Sequence, residues 1–413
     1  MEKSLRPGGT LHLEQYEDWN DLRRLRHAWE ALLAESRSRT IFLTREWLEP
    51  WWNSFGARRR LVGLAASEGG DELAGLALLY RERRRIAAGI SLEVLRLVGD
   101  GSTDSDSLDF LARPGCELLF AQAVLGWCAQ HESEWDILEL NTVPAESPVA
   151  SAIASEMATR GWLCWQQESV HQIVRLPGNW EEYLGSLSRN MRTAVNTKIR
   201  RIEKRYQVRQ RRCEKPDDLP LFLEHLFAMH TSRWQLQQKP GSFGVPARRQ
   251  FYGEMAQHFL ERGWLDFSLL ELDGKVAAAE FGFRYGETYY FLQSGFDPAY
   301  ASDSVGFVLK AQIFRGLIHD GIKFYDFLGE DDPYKLRWGA ETHMYIHRRC
   351  ARPGSRGALY IGLARAASGG KAWLRGKLPK QAWGVLSGSY RRLLARRNPG
   401  TDNSDGAAAS GDE

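Results

Sequence analysis

Hydrophobic and polar positions along the first 170 residues follow two periods, one typical of strands and one typical of helices. Alternation with period two predicts strands at residues 11–15, 61–67, 73–81, 92–98, 108–111 and 136–140. Apolar positions three and four apart predict helices at residues 18–34, 44–55 and 117–130. The predicted order is a mixed α/β fold with a strand hairpin at its centre.

The second half of the chain repeats this order. The segment LVGLAASEGGDELAGLALLYRE aligns with FSLLELDGKVAAAEFGFRYGE as strand, turn and strand. The segment LLFAQAVLGWCAQHESEWDILEL aligns with FVLKAQIFRGLIHDGIKFYDFL as helix and strand. One interpretation is an internal duplication with domains at residues 10–170 and 171–350. The other is that any two α/β domains share such runs.

A strongly basic helix is predicted between the two halves, at residues 190–212. Its apolar stripe consists of Met191, Val195, Ile199, Ile202 and Tyr206. Nine Lys or Arg residues surround the stripe, against the single acid Glu203. They form either a solvated outer face whose Arg stems cover the core or a positive surface that steers an anionic ligand toward a neighbouring cleft.

Composition supports two folded domains and an intracellular protein. The chain has 413 residues, of which 43% are hydrophobic, and its net charge is only +3, so the whole molecule is not an obvious nucleic-acid binder. Five cysteines without a CxxC pair favour reduced thiols and a cytoplasmic location. No apolar stretch approaches about 18 residues, so we expect neither a signal peptide nor a membrane span. Any membrane contact is expected to be peripheral.

The C-terminal segment, residues 355–397, contains ten Lys or Arg residues, no Asp or Glu, and interleaved aromatic residues. Such a segment suits an anionic membrane surface, an acidic polymer or nucleic acid, or is a cationic tail on a soluble enzyme. On the first interpretation the protein associates with anionic vesicles, and deletion of residues 355–413 abolishes that association. Residues 398–413 have low complexity, and we expect them to be disordered.

Candidate chemistry concentrates in the second half. Glu280 stands among small side chains on one face of the predicted strand at residues 275–285. Burial there favours a carboxylate with a raised pKa, which can serve as a general base. The alternative is a structural ion pair with Arg284, two positions away on the same face.

Two further places carry candidate residues, the start of a predicted helix and the end of a predicted strand. A helix predicted to begin near Ser304 offers accessible backbone N–H groups at Val305 and Gly306 for a phosphate. The strand predicted at residues 323–328 carries one charge, Asp326, and the run GEDDPYKLRWG that follows supplies Lys335 and Arg337 as partners.

Other catalytic classes find little support. The sequence contains no GxSxG elbow, HExxH motif, P-loop, or GxGxxG after a strand, and its ten His residues are scattered. We therefore expect no metal site.

The segments FLTREWLEPWWNSFG, NMRTAVNTKIRRIEKR, FDPAYASDSVGFVL and FYDFLGEDDPYKLRWG together resemble the CelD/BcsL-type acetyltransferases of the GNAT (acyl-CoA N-acyltransferase) superfamily. The resemblance covers about residues 10–350, and YKLRWG is its most specific element. Related to this group are the FemX-type transferases, which carry two GNAT-like domains in tandem. That arrangement would explain the duplication.

The resemblance implies transfer of an acyl group, usually acetyl, from acyl-CoA to an amine, often in the synthesis of cell-surface polysaccharides. The acceptor would be a small molecule or a glycan precursor. FemX-type proteins use aminoacyl-tRNA instead, and the chain has one glycine, Gly306, where GNAT proteins have a glycine-rich loop, so both donors stay open. A non-catalytic scaffold for polysaccharide production is a third option.

Specific roles follow for individual residues. The base would be Glu280 or Asp326, Tyr334 would protonate the leaving thiolate, and Lys335 completes the expected catalytic set. The expected acceptor-binding residues are Arg233 and Trp234 of the HTSRW segment, with Arg337 and Trp338. The expected CoA-binding residues are Ser294, Ser304, Val305 and Gly306.

Overall fold

A computed structural model describes residues 11–69, 72–87, 89–236, 241–329 and 331–377, without the side chains of residues 87, 233–236, 242 and 369–377. The predicted disordered tail at 398–413, and the part of the basic segment from residue 378 to 397, lie outside the described residues. No helix within the described ranges has the length and hydropathy needed to cross a membrane.

Within the described residues, the first half contains seven strands and five α-helices. In chain order they are β1 His12–Tyr16, α1 Trp19–Leu22, α2 Arg26–Glu35, α3 Arg45–Phe55, β2 Arg60–Ser67, β3 Leu73–Ala87, β4 Ile90–Leu97, β5 Leu111–Ala112, α4 Glu117–Gln130, β6 Ile137–Pro144, α5 Pro148–Thr159 and β7 Leu163–Arg175. The second half is α6 Trp180–Ser186, α7 Arg189–Arg205, β8 Val208–Arg212, α8 Leu219–Leu236, α9 Pro246–Glu261, β9 Leu265–Leu272, β10 Lys275–Tyr285, β11 Thr288–Phe296, α10 Val305–His319, β12 Phe324–Asp326, α11 Pro333–Arg337, β13 Glu341–Ala351 and α12 Arg356–Lys377.

The described strands form one continuous sheet, in the order β1-β2-β3-β4-β6-β13-β7-β12-β11-β10-β9-β8, with β5 paired to β3. Each half contributes an antiparallel meander, followed by a helix and a parallel strand. In the first half β4 runs parallel to β6, and in the second half β11 runs parallel to β12. This repeat confirms the mixed α/β fold class predicted from the alternating pattern.

The two halves exchange their last strands at the centre of the sheet. Strand β7 follows the first half along the chain but pairs with β12 of the second half. Strand β13 follows the second half but pairs with β6 of the first, and β7 and β13 pair with each other over eleven residues. The predicted boundary at residue 170 lies inside β7. The exchange brings side chains of the first half beside the ends of strands in the second.

A shared core packs the helices of the two halves together. Trp47 of α3 is fully buried, and its ring lies edge-on to Phe251 of α9 at 5.1 Å between centroids. A second apolar cluster lies beneath α7 and α10, where Val195, Phe314 and Trp338 are completely buried. Burial of large aromatic side chains on both sides makes the arrangement of α3 and α9 a stable one.

Three predicted elements differ from the structure. The predicted helix at 190–212 ends at Arg205, and residues 208–212 form the edge strand β8, which pairs with β9. The predicted helix at 18–34 is broken by a 3-10 turn at Arg23–Leu25. The predicted strand at 108–111 is reduced to β5, because the preceding polar residues form a buried loop instead.

Candidate functional site

Strands β11 and β12 diverge at one end, and the gap between them is named the cleft here. Their pairing ends at Tyr290 opposite Asp326, whereas β11 continues to Phe296 along β10. The 3-10 segment Pro298–Asp303 then leads into α10, so the N-terminus of that helix lies beside the gap. Parallel strands that part in this way leave backbone groups and a helix N-terminus available to a ligand.

Asp326 is the buried carboxyl group at this separation. Only 3% of its surface is exposed, and one of its oxygens, Oδ1, accepts a hydrogen bond from Leu328 N at 2.8 Å. Burial raises the pKa of Asp326 to about 7, with the nearby charge of Asp106 adding to the rise and that of Lys335 opposing it. A carboxyl group with this pKa exchanges protons near neutral pH, as a general base requires.

Lys335 faces Asp326 from the short helix α11. The helix begins at a cap where Asp332 Oδ1 accepts from Tyr334 N at 2.9 Å. The Lys335 side chain turns back across the cleft, and its Nζ donates to Leu328 O at 2.5 Å. Burial lowers the pKa of Lys335, against the opposing charges of Asp106 and Asp326. The predicted proximity of Asp326 and Lys335 therefore holds in the structure.

The first half adds residues that the sequence reasoning missed. Asp106 Oδ2 accepts from Gly329 N at 2.8 Å, and Asp106 Oδ1 lies 3.7 Å from His171 Nε2. Gln172 donates to Asp331 Oδ1 at 2.8 Å and accepts from Asp332 N at 3.0 Å. The segment between β12 and α11 is therefore held by residues of the loop after β4 and of β7.

The loop that carries Asp106 is itself fixed by both halves. Trp47 and Trp51 of α3 donate to Ser105 Oγ and Ser102 Oγ at 2.9 and 3.0 Å. From the second half, Tyr252 donates to Asp104 Oδ1 at 3.0 Å. The loop corresponds to the polar run GDGSTDSDS, whose closely spaced acids between apolar segments were a signal for a buried, structured loop. Its position beside Asp326 depends on the strand exchange.

The N-terminus of α10 is surrounded by cations from α7. Lys198 Nζ donates to Ser304 Oγ at 2.9 Å, and Arg201 donates to Ser302 O at 2.7 Å. Burial lowers the pKa of Lys198, and the charges of Arg201 and Arg337 lower it further, so these three cations lie close together. The basic helix therefore directs positive charge to the predicted CoA-binding end.

Three of the predicted CoA-binding residues, Ser304, Val305 and Gly306, lie together at the start of α10, and the fourth, Ser294, lies on β11. Ser304 has a left-handed backbone (φ 55°), and α10 begins with Val305 and Gly306. Ser294 is partly buried on the stretch of β11 that continues beyond Tyr290. Asp303 does not present its charge to an incoming anion, because its carboxylate forms an ion pair with Arg205 and accepts from Tyr206 OH.

Glu280 occupies a different environment from the one expected. The predicted alternative, a pair with Arg284, is wrong, because Arg284 binds Asp266 and Asp320. Glu280 instead pairs with Lys310 of α10 at 2.8 Å and accepts from Tyr325 and Tyr289 at 2.9 and 3.1 Å. Glu280 is 1% exposed, and these contacts favour a structural role.

The remaining predicted residues are divided between the cleft and the core. Tyr334 packs against Phe327, and burial raises the pKa of its phenol above the ordinary value. Trp338 was expected to bind the acceptor, but it is completely buried and stacks on Phe314 at 5.1 Å, so it is a core residue. Arg337 is exposed near Lys198.

The side chains of Arg233 and Trp234 lie outside the described residues, although the backbone of both belongs to α8. Within the described part of the chain, no three His, Cys, Asp or Glu side chains are grouped so that they could hold a metal ion.

Comparison with known proteins identifies a domain family in the second half of the chain and solved structures of similar fold. Residues 189–336 match the family model of the acetyltransferase (GNAT) domain. FemX, a solved structure, is 13% identical with a TM-score of 0.54, and the match covers 81% of this chain and 96% of that chain. A conserved protein of unknown function from Bacteroides thetaiotaomicron VPI-5482 is 13% identical with a TM-score of 0.53, covering 82% and 100%. No curated protein matches the sequence.

The second half therefore contains a GNAT-type acetyltransferase domain, and the chain shares the fold of FemX over 81% of its own length. The repeated strand order makes the fold a tandem pair of GNAT-like units joined by exchanged strands. The cleft between β11 and β12 lies inside this domain. Three residues near it, Asp106, His171 and Gln172, come from the part of the chain before the matched range.

Proposed function

We propose that the protein is an N-acyltransferase that moves an acyl group, most simply acetyl, from acyl-CoA to an amine. The observation that carries this proposal is the position of Asp326, a buried carboxyl group with a pKa of about 7 at the separation of β11 and β12. Lys335 is close enough to Asp326 for their charges to interact, and the N-terminus of α10, which Lys198 contacts, follows the end of β11.

The proposed chemistry uses two proton transfers. The acceptor amine attacks the thioester carbonyl, the C–S bond breaks, and the proton of the amine passes to Asp326. Backbone N–H groups in the cleft stabilise the oxyanion of the tetrahedral intermediate. Tyr334, whose raised pKa keeps its phenol protonated, supplies a proton to the departing thiolate.

CoA fits the donor end because that end offers cations and the first turn of α10. Replacement of Lys198 and Arg201 together by Ala is expected to weaken binding of acetyl-CoA by about tenfold or more, since charge-assisted contacts to phosphate are lost. Calorimetric titration of the purified protein with acetyl-CoA measures this change.

The matched control replaces two exposed cations of the same helix, Arg200 and Lys204, by Ala. Equal loss of affinity in both double variants would show that general charge, and not the helix N-terminus, accounts for binding.

Replacement of Lys335 by Ala is expected to reduce transfer by at least about 100-fold, because the cation that faces Asp326 and binds Leu328 O disappears. Loss of that charge also raises the pKa of Asp326, so the rise of the rate with pH moves to higher pH. Initial rates of thiol release across a pH series test both effects. Lys323→Ala, at an exposed position, is the control. Unchanged activity in Lys335→Ala would contradict the assignment.

The acceptor is proposed to be an amine of a small molecule or a glycan precursor, in the synthesis of cell-surface polysaccharide or envelope. This narrower proposal rests on the resemblance of the sequence to the CelD/BcsL group. A panel of amino sugars and nucleotide-linked amino sugars, each assayed for acyl transfer by mass spectrometry, tests it.

One observation favours a second donor, aminoacyl-tRNA. The outer face of α7 exposes cations that do not surround Ser304, among them Arg192, Arg200 and Lys204. A row of exposed cations suits a polyanion larger than CoA. Titration with aminoacyl-tRNA beside acetyl-CoA separates the two donors, and binding of neither would favour a non-catalytic scaffold.

A further inference from the structure

Two cysteines face each other across the exchanged strands at the centre of the sheet. Cys164 on β7 is directly opposite Cys350 on β13 in the antiparallel register, and both thiols are free. Residues in such a position point to the same face of the sheet, with Cα atoms about 4.5 or 5.5 Å apart. A disulfide requires Cα atoms about 4.4–6.8 Å apart, so the backbone already suits a bond between these two residues.

The two thiols differ in exposure and in acidity. Cys164 is partly exposed, and its Sγ donates to Sδ of Met157 on α5 at 3.6 Å, whereas Cys350 is completely buried. A hydrogen bond from the Cys350 thiol lowers the pKa of Cys164 against the effect of burial, and the charge of Arg348 lowers it further. Burial raises the pKa of Cys350 well above its ordinary value. Cys164 is therefore the thiol that ionises first, with a protonated thiol beside it.

We propose that Cys164 and Cys350 are a peroxide-reactive pair, in which Cys164 is oxidised first and Cys350 then closes a reversible disulfide between β7 and β13. A partly exposed thiolate next to a second thiol is the arrangement that suits such a reaction. The other three free cysteines lie elsewhere, with Cys116 just before α4, Cys128 within α4 and Cys213 just after β8. The proposal does not depend on the acyl-transfer chemistry.

The reaction takes a hydroperoxide and proceeds in two steps. The Cys164 thiolate attacks one peroxide oxygen, the O–O bond breaks, and the hydroxide that leaves takes up the proton released by Cys164. Cys164 is then a sulfenic acid. The Cys350 sulfur attacks the Cys164 sulfur, the S–O bond breaks, and the second hydroxide leaves as water with the proton of Cys350. The two sulfurs together lose two electrons, which the peroxide gains, and a thiol reductant reverses the change.

The disulfide would join the two halves of the chain through their exchanged strands. Strand β7 follows the first half and β13 follows the second, so the bond connects residues that are far apart in sequence. A cross-link that closes a long loop restricts the unfolded chain and stabilises the folded protein. We therefore expect the oxidised protein to melt several degrees higher than the reduced protein.

The full-length reduced protein is treated with equimolar hydrogen peroxide and then analysed by peptide mass spectrometry without reductant. We expect one linked peptide pair, joined through Cys164 and Cys350, and the loss of two of the five free thiols in a thiol titration. Dithiothreitol should restore both thiols and the original melting temperature. Absence of the linked pair, a link between other cysteines, or oxidation of Cys164 to a sulfinic acid without a link would overturn the proposal.

Three variants test the order of the steps. In Cys350→Ala the reaction should stop at the Cys164 sulfenic acid, which dimedone traps, and in Cys164→Ser the buried Cys350 should stay unmodified. Cys213→Ser is the control, and it should form the link as wild type does. Sulfenic acid on Cys350 in Cys164→Ser would contradict the assigned order. Thermal melting of each reduced variant shows that it is folded, and the wild-type peptide map decides the proposal even where a variant is not.

Discussion

Replacement of Asp326 by Asn is expected to lower the rate of acyl transfer by about 100-fold to 10,000-fold, the range that general base catalysis typically contributes. Asn keeps the shape of the side chain and its oxygen still accepts from Leu328 N, but it takes no proton from the amine. The wild-type rate should rise as the pH passes through about 7, where Asp326 ionises. In Asp326→Asn that rise should be absent. Initial rates from pH 5.5 to 9 give both results, the pH range being roughly two units around this pKa.

The same substitution is expected to lower the rate but not the stability of the protein. This difference separates a catalytic role of Asp326 from a role in folding. The pKa of Asp326 is about 7 in the folded state against an ordinary value of 3.8, so the folded protein holds this proton more tightly than the unfolded chain. Between about pH 4 and pH 7 the contribution of Asp326 to stability therefore falls as the pH rises.

Asp326→Asn removes this fall in stability with rising pH. The variant should melt at the same temperature as wild type or several degrees higher at pH 8, and its advantage should shrink toward pH 4. Thermal unfolding followed by tryptophan fluorescence at both pH values measures the difference. A variant that is inactive and also less stable at pH 8 would mean that Asp326 supports the fold and not the reaction.

Local pattern was enough to predict most of the elements near the site. Alternation predicted residues 275–285, which β10 matches, and helical spacing predicted residues 117–130, which α4 matches. Residues 206–212 were assigned to the basic helix because Tyr206 continues its apolar stripe. Residues 208–212 form a strand because they pair with β9. A Lys- and Arg-rich edge strand carries little periodic signal of its own.

The candidate site was predictable only where its residues are neighbours in sequence. Asp326 and Lys335 are nine positions apart, and the charged run that follows the predicted strand at 323–328 already pointed to Lys335 as a partner of Asp326. Asp106 reaches Gly329 across 223 positions, through a strand exchange that no local pattern records. His171 lies on β7, which belongs by sequence to the first half and by pairing to the second.

Glu280 was misjudged for a related reason. Its partner, Lys310, is the one charge in the apolar run VGFVLKAQIF, and a lone Lys on the buried stripe of a helix signals a buried acid elsewhere. The two residues are 30 positions apart, and only the packing of α10 on β10 shows that they meet. Trp338 was also misjudged. An aromatic residue at the end of a charged run looks like a binding residue, but Trp338 fills the core.

Replacement of Lys310 by Met is expected to destabilise the protein by about 3–5 kcal/mol, because it leaves the Glu280 carboxylate buried without its cation. Lys310 Nζ donates to Glu280 Oε2 at 2.8 Å and to Tyr325 OH at 2.6 Å, and both residues are nearly inaccessible to water. Met has a similar length and volume, so the expected loss comes from the unpaired charge and not from a cavity. Urea unfolding at pH 7 measures it.

A second substitution then separates a structural from a catalytic role for Glu280. In the double variant Lys310→Met with Glu280→Gln, the buried site is neutral, and Gln can still accept from Tyr325 and Tyr289. We expect the double variant to regain most of the lost stability, as a double-mutant cycle reports for a coupled pair. It should also transfer acyl groups at a rate close to wild type when assayed below its unfolding transition. If Glu280 were the base, the double variant would be stable but inactive, since Gln cannot accept the proton. Restored stability together with restored activity would therefore leave Asp326 as the base, and it would assign the Glu280–Lys310 pair to holding α10 against β10 and β12 on one side of the cleft.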